Sequence, residues 1–249
     1  MVKVLLITGG GRGIGAAIAL KAAAQGYRVA VNYVGDRARA EAVVAEIKSA
    51  GGVAVAIAGD VSQEAEVIGL FAEAAKLLGP ITHVVNNAGV TGRSSRLDAA
   101  DAETIRSTVD INVTGAIFVA REAVRHLSPR HGGSGGAIVN ISSAATTIGS
   151  PGEYVWYAAS KGAIESLTLG LAKEVAEENI RVNAVAPGMT ETEIHERSTG
   201  DPARVERIRP SIPMKRIGKP NEIADAVLYL LGDNATYITG SILRVTGGR

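Results

Sequence analysis

Two rhythms of apolar residues run along this chain. One is a series of short unbroken runs rich in Val, Ile and Ala, at residues 2–7, 28–33, 53–58, 137–141, 180–186 and 242–245, with Val84-Val85 leading into Asn86 as a further case. Runs without polar alternation are strands buried on both faces. The other rhythm places apolar residues every three to four positions. It covers the stretch ending near Gln25, then 38–50, 62–78, about 101–127, 157 to about 178, and 221–231, and it predicts helices with one buried side. Strand and helix alternate with short connections. That order builds a single parallel, doubly wound α/β sheet with helices on both faces, here one domain over 1–249. Ligands of such sheets sit outside the carboxyl ends of the strands. The polar stretch 189–213, with Gly200, Pro202, Pro210 and Pro213, is expected to be a lid over that edge.

Composition narrows the partners. Hydrophobic residues make up 46% and charged residues 20% of the chain, enough for a real core. Only 4% are aromatic and the net charge is +1, so neither base stacking nor a strong field recruits nucleic acid or anionic membranes. No apolar run is long enough to cross a bilayer, and the apolar start is too short for a signal peptide. A cytoplasmic protein without membrane or nucleic-acid partners is the expectation. There is no cysteine, so thiolate metal sites fall away. His83, His126, His131 and His195 show no metal spacing.

Candidate chemistry collects at the strand ends. After the first run comes Thr8-Gly9-Gly10-Gly11-Arg12-Gly13-Ile14-Gly15 and then an Ala-rich helix. Glycines let a backbone approach a pyrophosphate, and the helix N-terminus offers free N–H groups and partial positive charge. Gly9, Gly11, Arg12, Gly13, Ile14 and Gly15 are therefore the candidate phosphate cradle. A dinucleotide site that prefers NAD has an acid ending its second strand. Here Asn32-Tyr33 stands there, while Arg12 and Arg37 could meet a 2′-phosphate; Asp36 could instead take the ribose, or cap the next helix. The balance favours NADP over NAD. Asp60 ends the third strand, where it could accept from an adenine amino group or cap the following helix. Asn86-Asn87-Ala88-Gly89 ends the fourth with small residues that leave room for a ribose and nicotinamide.

In the second half, Asn112 interrupts a helical stretch. It is either a satisfied amide between helices or a side chain or kink that holds a water. Gly132-Gly133-Ser134-Gly135-Gly136 matches G-x-S-x-G, but with a helix before it and a strand after it. That is the reverse of a nucleophile elbow, so a glycine turn is the better reading. Ser142-Ser143 follows the fifth strand. Tyr157 and Lys161 are four apart, on one face of a helix. A cation beside a phenol favours the phenolate and lowers its pKa, which would let Tyr157 exchange protons near neutral pH.

In this order and spacing, Thr8-Gly9-x-x-x-Gly13-x-Gly15, Asn86-Asn87-Ala88-Gly89, Asn112, Ser143, Tyr157-x-x-x-Lys161, Pro187-Gly188 and Gly240 resemble the short-chain dehydrogenase/reductases, a Rossmann-like single-domain family. The resemblance covers nearly the whole chain. It implies an oxidoreductase moving hydride between NAD(P) and a carbonyl or secondary alcohol. It assigns Tyr157 as acid/base, Lys161 to the pKa of Tyr157 and the nicotinamide ribose, Ser143 to the substrate oxygen, and Asn112 to a proton-relay water. It places Asp60 and Val61 at the adenine, Asn87, Ala88 and Gly89 at the adjacent ribose, and Pro187, Gly188, Thr190 and Thr192 at the nicotinamide end. It also implies a homotetramer. Reductases of carrier-linked 3-oxoacyl thioesters are similar overall, but Glu177-Glu178 stands where they tend to be basic, so a small free ketone, sugar or secondary alcohol is expected. A dinucleotide-binding redox sensor without catalysis is the rival reading. Arg204, Arg207 and Arg209 could greet an anionic substrate or simply be solvated.

Overall fold

The computed structural model describes residues 2–193, 198–201 and 203–249. His195 and Pro202, both named above, lie outside them. Seven strands form one parallel sheet: β1 Val4–Ile7, β2 Arg28–Tyr33, β3 Val53–Ala58, β4 His83–Asn86, β5 Gly136–Ile141, β6 Ile180–Pro187 and β7 Ile242–Val245. Their order is β3-β2-β1-β4-β5-β6-β7. The chain leaves β1 toward β2 on one side and returns to β4 on the other, so the reversal lies between β1 and β4. Register there is close: Ile7 pairs with Val31 and with Val85.

Both faces of the sheet are covered, which is why its strands carry no polar alternation. Leu5 and Ile7 of β1 point into one apolar cluster, with helices α1 (Gly13–Ala24) and α2 (Arg37–Ser49). Val4 and Leu6 point into the other, beneath α3 (Glu64–Leu78). The period of two along a strand makes this division.

The helix expected over about 101–127 is two helices, α4 (Ala102–Val109) and α5 (Ala116–Leu127), joined by a wider π turn, Asp110–Gly115. Asn112 is at its centre. Beyond β5 come the short α6 (Ala145–Ile148) and α7 (Val155–Glu174), which carries Tyr157 and Lys161. Then α8 (Arg204–Ile208) lies in the expected lid, and α9 (Pro220–Leu231) packs against α1 and the first cluster.

The G-x-S-x-G stretch sits between α5 and β5, at the amino edge of the sheet. A Cβ on Gly136 would stand 2.0 Å from the Thr82 carbonyl oxygen and one on Gly135 2.4 Å from that of Asn179. These glycines answer to close backbone approach. Among the described residues no group of three or more metal-ligating side chains forms, and no helix is long and apolar enough to cross a membrane.

Candidate active site

The glycine turn between β1 and α1 is fixed by side chains from three strand ends. Asn32 Oδ1 accepts from Gly9 N at 3.2 Å, and Asn32 Nδ2 donates to Gly59 O at 2.9 Å. Thr8 Oγ1 accepts from the backbone N–H groups of Asn87 and Ala88, at 2.9 and 3.0 Å. Asn87 Nδ2 donates to the carbonyls of Thr8 and Gly9, at 2.9 and 3.1 Å. Gly9 and Gly13 have φ of +63° and +53°, a region that favours glycine. A Cβ on Gly15 would come within 2.5 Å of the Gly9 carbonyl oxygen and 2.7 Å of Asn87 Nδ2. The backbone of this turn therefore lies bare along a cavity of about 560 Å³ that is also lined by Gly11, Arg12, Ile14, Ala88 and Gly89. That is the shape a pyrophosphate needs. Asn32 and Asn87 border this cavity, yet their amides are largely spent on holding the turn.

At the rim, Asp36 caps α2 by accepting from Arg39 N at 3.2 Å. Arg37 does not line the cavity. It is exposed and pairs with Glu41 at 2.6 Å, one turn on along α2. Besides Arg12, the arginine that lines the cavity is Arg39, held by Asp36 at 3.1 Å and Glu193 at 2.5 Å. Tyr33, Asp60 and Val61 also border it. Asp60 Oδ1 accepts from Ser62 N and Oγ at 2.9 and 2.8 Å, so it stabilises the turn before α3 while facing the cavity.

The second cavity, about 420 Å³, continues from the first: Ile14, Asn87, Gly89, Thr91 and Thr192 line both. Tyr157, Lys161, Ser142 and Ser143 line it, as do Pro187, Gly188 and Thr190 after β6. A Cβ on Gly188 would meet Thr246 Cα at 2.8 Å, so a glycine is required for β6 and β7 to close there. The Ser143 side chain stands beside the Tyr157 hydroxyl and favours its ionised form. Ser142 instead turns to α7, donating to Glu165 Oε1 at 3.0 Å, which separates the roles of the two serines. Gly89 lies between the other two candidates: a Cβ there would be 3.2 Å from Asn112 Oδ1 and 3.3 Å from Lys161 Nζ.

The electrostatics differ from the sequence expectation. Lys161 is 5% exposed, donates to Ile141 O at 2.8 Å, and lies 5.8 Å from the centroid of the Tyr157 ring. Burial pulls its ammonium down to about 8. Burial likewise pushes the Tyr157 phenol up, and the Ser143 side chain opposes this. The cation does not draw the phenol down as the four-residue spacing suggested. Its contact is with the ring at a distance and with a carbonyl, and the hydroxyl that assists Tyr157 comes from Ser143.

Asn112 is a satisfied amide between helical elements, one of the two fates expected of it. Its amide donates to Val90 O at 2.7 Å and Ser160 Oγ at 3.0 Å, and accepts from Val90 N at 2.8 Å. It ties the loop after β4 to α7.

The far wall is made by residues that spacing does not reveal. Arg204 of α8 is 3% exposed. It donates to Glu153 at 2.6 Å and to the Tyr154 hydroxyl. Burial pushes the Tyr154 phenol up to about 12, with Arg204 opposing, which suits a structural role and not acid/base work. Arg207 pairs with Asp201 and Arg209 with Glu206, so Arg204, Arg207 and Arg209 all have carboxylate partners. Glu178 is also not a surface charge. It accepts from Ser128 and pairs with Arg130 at 3.2 Å while 8% exposed, leaving only Glu177 to face a partner. Arg39, Glu193, Glu153 and Glu165 were absent from the sequence expectation, and Arg204 was expected to meet substrate or solvent. Only Glu165 carried a readable signal, since it continues the four-residue spacing of Tyr157 and Lys161.

A parallel sheet with a bare glycine turn at its reversal, and Ser, Tyr and Lys converging on the adjoining cavity, is a dinucleotide-dependent oxidoreductase architecture. The family profile described as enoyl-(acyl carrier protein) reductase matches residues 9–249. The chain is 47% identical to an uncharacterized oxidoreductase, YgfF, of Escherichia coli, over 99% of each. It is 38% identical to a 3-oxoacyl-[acyl-carrier-protein] reductase of Staphylococcus aureus, over 100% of this chain and 98% of the relative. A short-chain dehydrogenase of Burkholderia cenocepacia in complex with NADP superposes with a TM-score of 0.91 at 36% identity, covering 99% and 97%. A 3-ketoacyl-(acyl-carrier-protein) reductase of Brucella melitensis complexed with NADH does so at 0.91 and 35%, covering 99% and 98%. The chain belongs to the short-chain dehydrogenase/reductase family. It is an NAD(P)-dependent oxidoreductase acting between a carbonyl and an alcohol.

Proposed function

We propose that the chain reduces a small free ketone or sugar carbonyl, or oxidises the matching secondary alcohol, with NADP as the preferred dinucleotide. The observation that carries this is the convergence of Ser143, Tyr157 and Lys161 on a cavity that shares its wall with the glycine cradle. The bound dinucleotide supplies or takes up the hydride. Tyr157, kept protonated at neutral pH by its burial, gives its proton to the carbonyl oxygen in the reducing direction. Ser143 donates a hydrogen bond to the same oxygen as negative charge grows on it. Lys161, buried below, holds a positive charge near the nicotinamide ribose. Asn112 fixes the Val90 loop against α7, so that Gly89 leaves room between Asn112 and Lys161.

The NADP preference is supported by the absence of an acid at the end of β2 and by Arg12 and Arg39 on the cavity wall. The homotetramer and the cytoplasmic setting are parts of the same reading. Exposed Tyr229, Tyr237 and Leu243 on and around α9 and β7 support assembly. A second reading, reduction of a 3-oxoacyl thioester, is favoured by the Staphylococcus relative and by the burial of Glu178. Comparing ethyl acetoacetate with the acetoacetyl thioester of N-acetylcysteamine separates the two.

Tyr157→Phe tests the core of the proposal. We expect turnover of ethyl acetoacetate, diacetyl or acetophenone by NADPH to fall about a hundredfold or more, while NADPH binding measured by fluorescence stays near the parent value. Near-parent turnover in this variant overturns the assignment.

A further inference from the structure

The turn after β5 is fastened to the catalytic helix on both sides of Ser143. Residues 157, 161 and 165 of α7 follow one another at intervals of four, so their side chains lie along one line of the helix. Lys161 Nζ donates to Ile141 O at 2.8 Å. One helical turn further on, Glu165 Oε1 accepts from Ser142 Oγ at 3.0 Å and from Thr146 Oγ1 at 2.9 Å. Ser143 stands between those two donors. Thr146 Oγ1 is also 3.0 Å from the Ser143 carbonyl, and Ser143 Oγ accepts from Ala145 N at 3.1 Å. Without the carboxylate the turn keeps its backbone bonds to β6 (Ser142 N to Val185 O and Ala144 N to Pro187 O, both 2.8 Å), the Lys161 contact at Ile141 and its own internal hydrogen bonds, but of the side-chain ties to α7 beside Ser143 only a long Ser142 Oγ contact to Lys161 O at 3.4 Å remains. Beyond it the chain runs into Gly149 and Ser150, both at positive φ, with no regular element to hold it until α7.

We propose that Glu165 is a positioning residue for Ser143. Its carboxylate gathers the hydroxyls on either side of that serine and so keeps the Ser143 hydroxyl within hydrogen-bond reach of Tyr157 and of a carbonyl oxygen placed between them. Hydroxyl–carboxylate hydrogen bonds are charge-assisted and short. A catalytic donor must be held to a fraction of an ångström, and a misplacement of about 1 Å can cost on the order of a hundredfold in rate. Glu165 itself contacts Ser142 and Thr146, and acts on the reaction through the turn. The inference rests on the roles given above to Ser143 and Tyr157.

The test uses the full-length protein with NADPH and ethyl acetoacetate, diacetyl and acetophenone as probes. Glu165→Ala should lower kcat about ten- to a hundredfold, with KM and NADPH affinity within about twofold of the parent, since neither cradle nor pocket wall is touched. Glu165→Gln keeps Oε1 as an acceptor and should restore kcat to within roughly threefold. Combining Glu165→Ala with Ser143→Ala should be no worse than Ser143→Ala alone, because both changes remove one effect. Parent-like kcat in Glu165→Ala, or multiplied losses in the double variant, overturns the proposal. Retained turnover in Tyr157→Phe would instead sink the parent reading. A crystal structure of Glu165→Ala needs no substrate: Ser143 Oγ should be drawn away from the Tyr157 hydroxyl, and an unmoved turn overturns the proposal even if no probe is reduced. Sedimentation of parent and variant checks that assembly, expected to be tetrameric, is the same in both.

Discussion

The dinucleotide end and the catalytic end of the cleft are built from different materials. Around the glycine turn the wall is backbone, and the polar side chains behind it, Thr8, Asn32 and Asn87, are neutral and hydrogen-bonded to that backbone. Its charged groups, Arg12, Asp36 and Arg39, stay at the rim. The catalytic end buries charge: Lys161 is 5% and Arg204 3% exposed. Burying neutral, satisfied groups costs little, whereas burying a cation is expensive unless it is paired. Arg204 has Glu153 as partner. Lys161 has a carbonyl. Function at this end is therefore held against a stability cost, and at the other end is nearly free of one.

The largest effect should come from putting a side chain into the backbone wall. Gly15→Val places Cβ about where the Gly9 carbonyl oxygen and the Asn87 amide already are, at 2.5 and 2.7 Å. Calorimetry should show NADPH affinity reduced about ten- to a hundredfold, since relieving such overpacking costs roughly 1–3 kcal/mol and moves the turn itself. Binding within tenfold of the parent would mean the turn does not contact the dinucleotide.

Lys161→Met sharpens the contrast from the other side. The buried ammonium titrates at about 8 against an unfolded value of 10.5. Between these values the unfolded chain binds more protons, so stability rises with pH across that window. Below about pH 8 the cost is complete. At about 1.36 kcal/mol per unit it amounts to roughly 3 kcal/mol, less about 1 for the Ile141 carbonyl left without its donor. The variant should thus be inactive yet about 2 kcal/mol more stable at pH 7 in urea unfolding. The gap should narrow as pH climbs from 8 toward 10.5. A variant less stable than the parent at pH 7 would show that Lys161 contributes to the fold and does not strain it.

The smallest effect is expected at the rim. Arg39→Ala should weaken NADPH binding about tenfold, the worth of one charge-assisted contact partly offset by Asp36 and Glu193, and leave NADH binding unchanged. Arg37→Ala should alter neither. If Arg37 carries the preference and Arg39 does not, the cavity assignment at this rim is wrong.

The same contrast explains what could be read from the sequence. Backbone-built features need particular residues in unbroken order, so Thr8 to Gly15, Asn86 to Gly89 and Pro187-Gly188 were legible, as was the strand–helix alternation that places them. Tyr157 and Lys161 were legible because one helix sets their geometry. Side-chain pairs across the fold were not. Glu153 and Arg204 lie fifty-one positions apart, and no periodicity links them. Arg37 and Arg39 differ only in which side of α2 they take, and an error of two residues at a helix start exchanges rim for solvent. The effect on Tyr157 was misjudged for a similar reason: spacing gives proximity, but the balance between burial and charge depends on everything packed around the phenol.

The π turn at Asp110–Gly115 acts as a phase shift. Each residue of an α-helix advances its face by about 100°, and a wide turn takes in one residue beyond the regular count. After it, Val119, Ala123 and Leu127 of α5 face the sheet. Before and within it, Thr108 stands beside Gly92 and Asn112 bonds Val90, both in the loop after β4 that borders the cleft. An unbroken helix would have to give up one orientation or the other, so the surplus residue lets a single stretch of chain serve both core and chemistry.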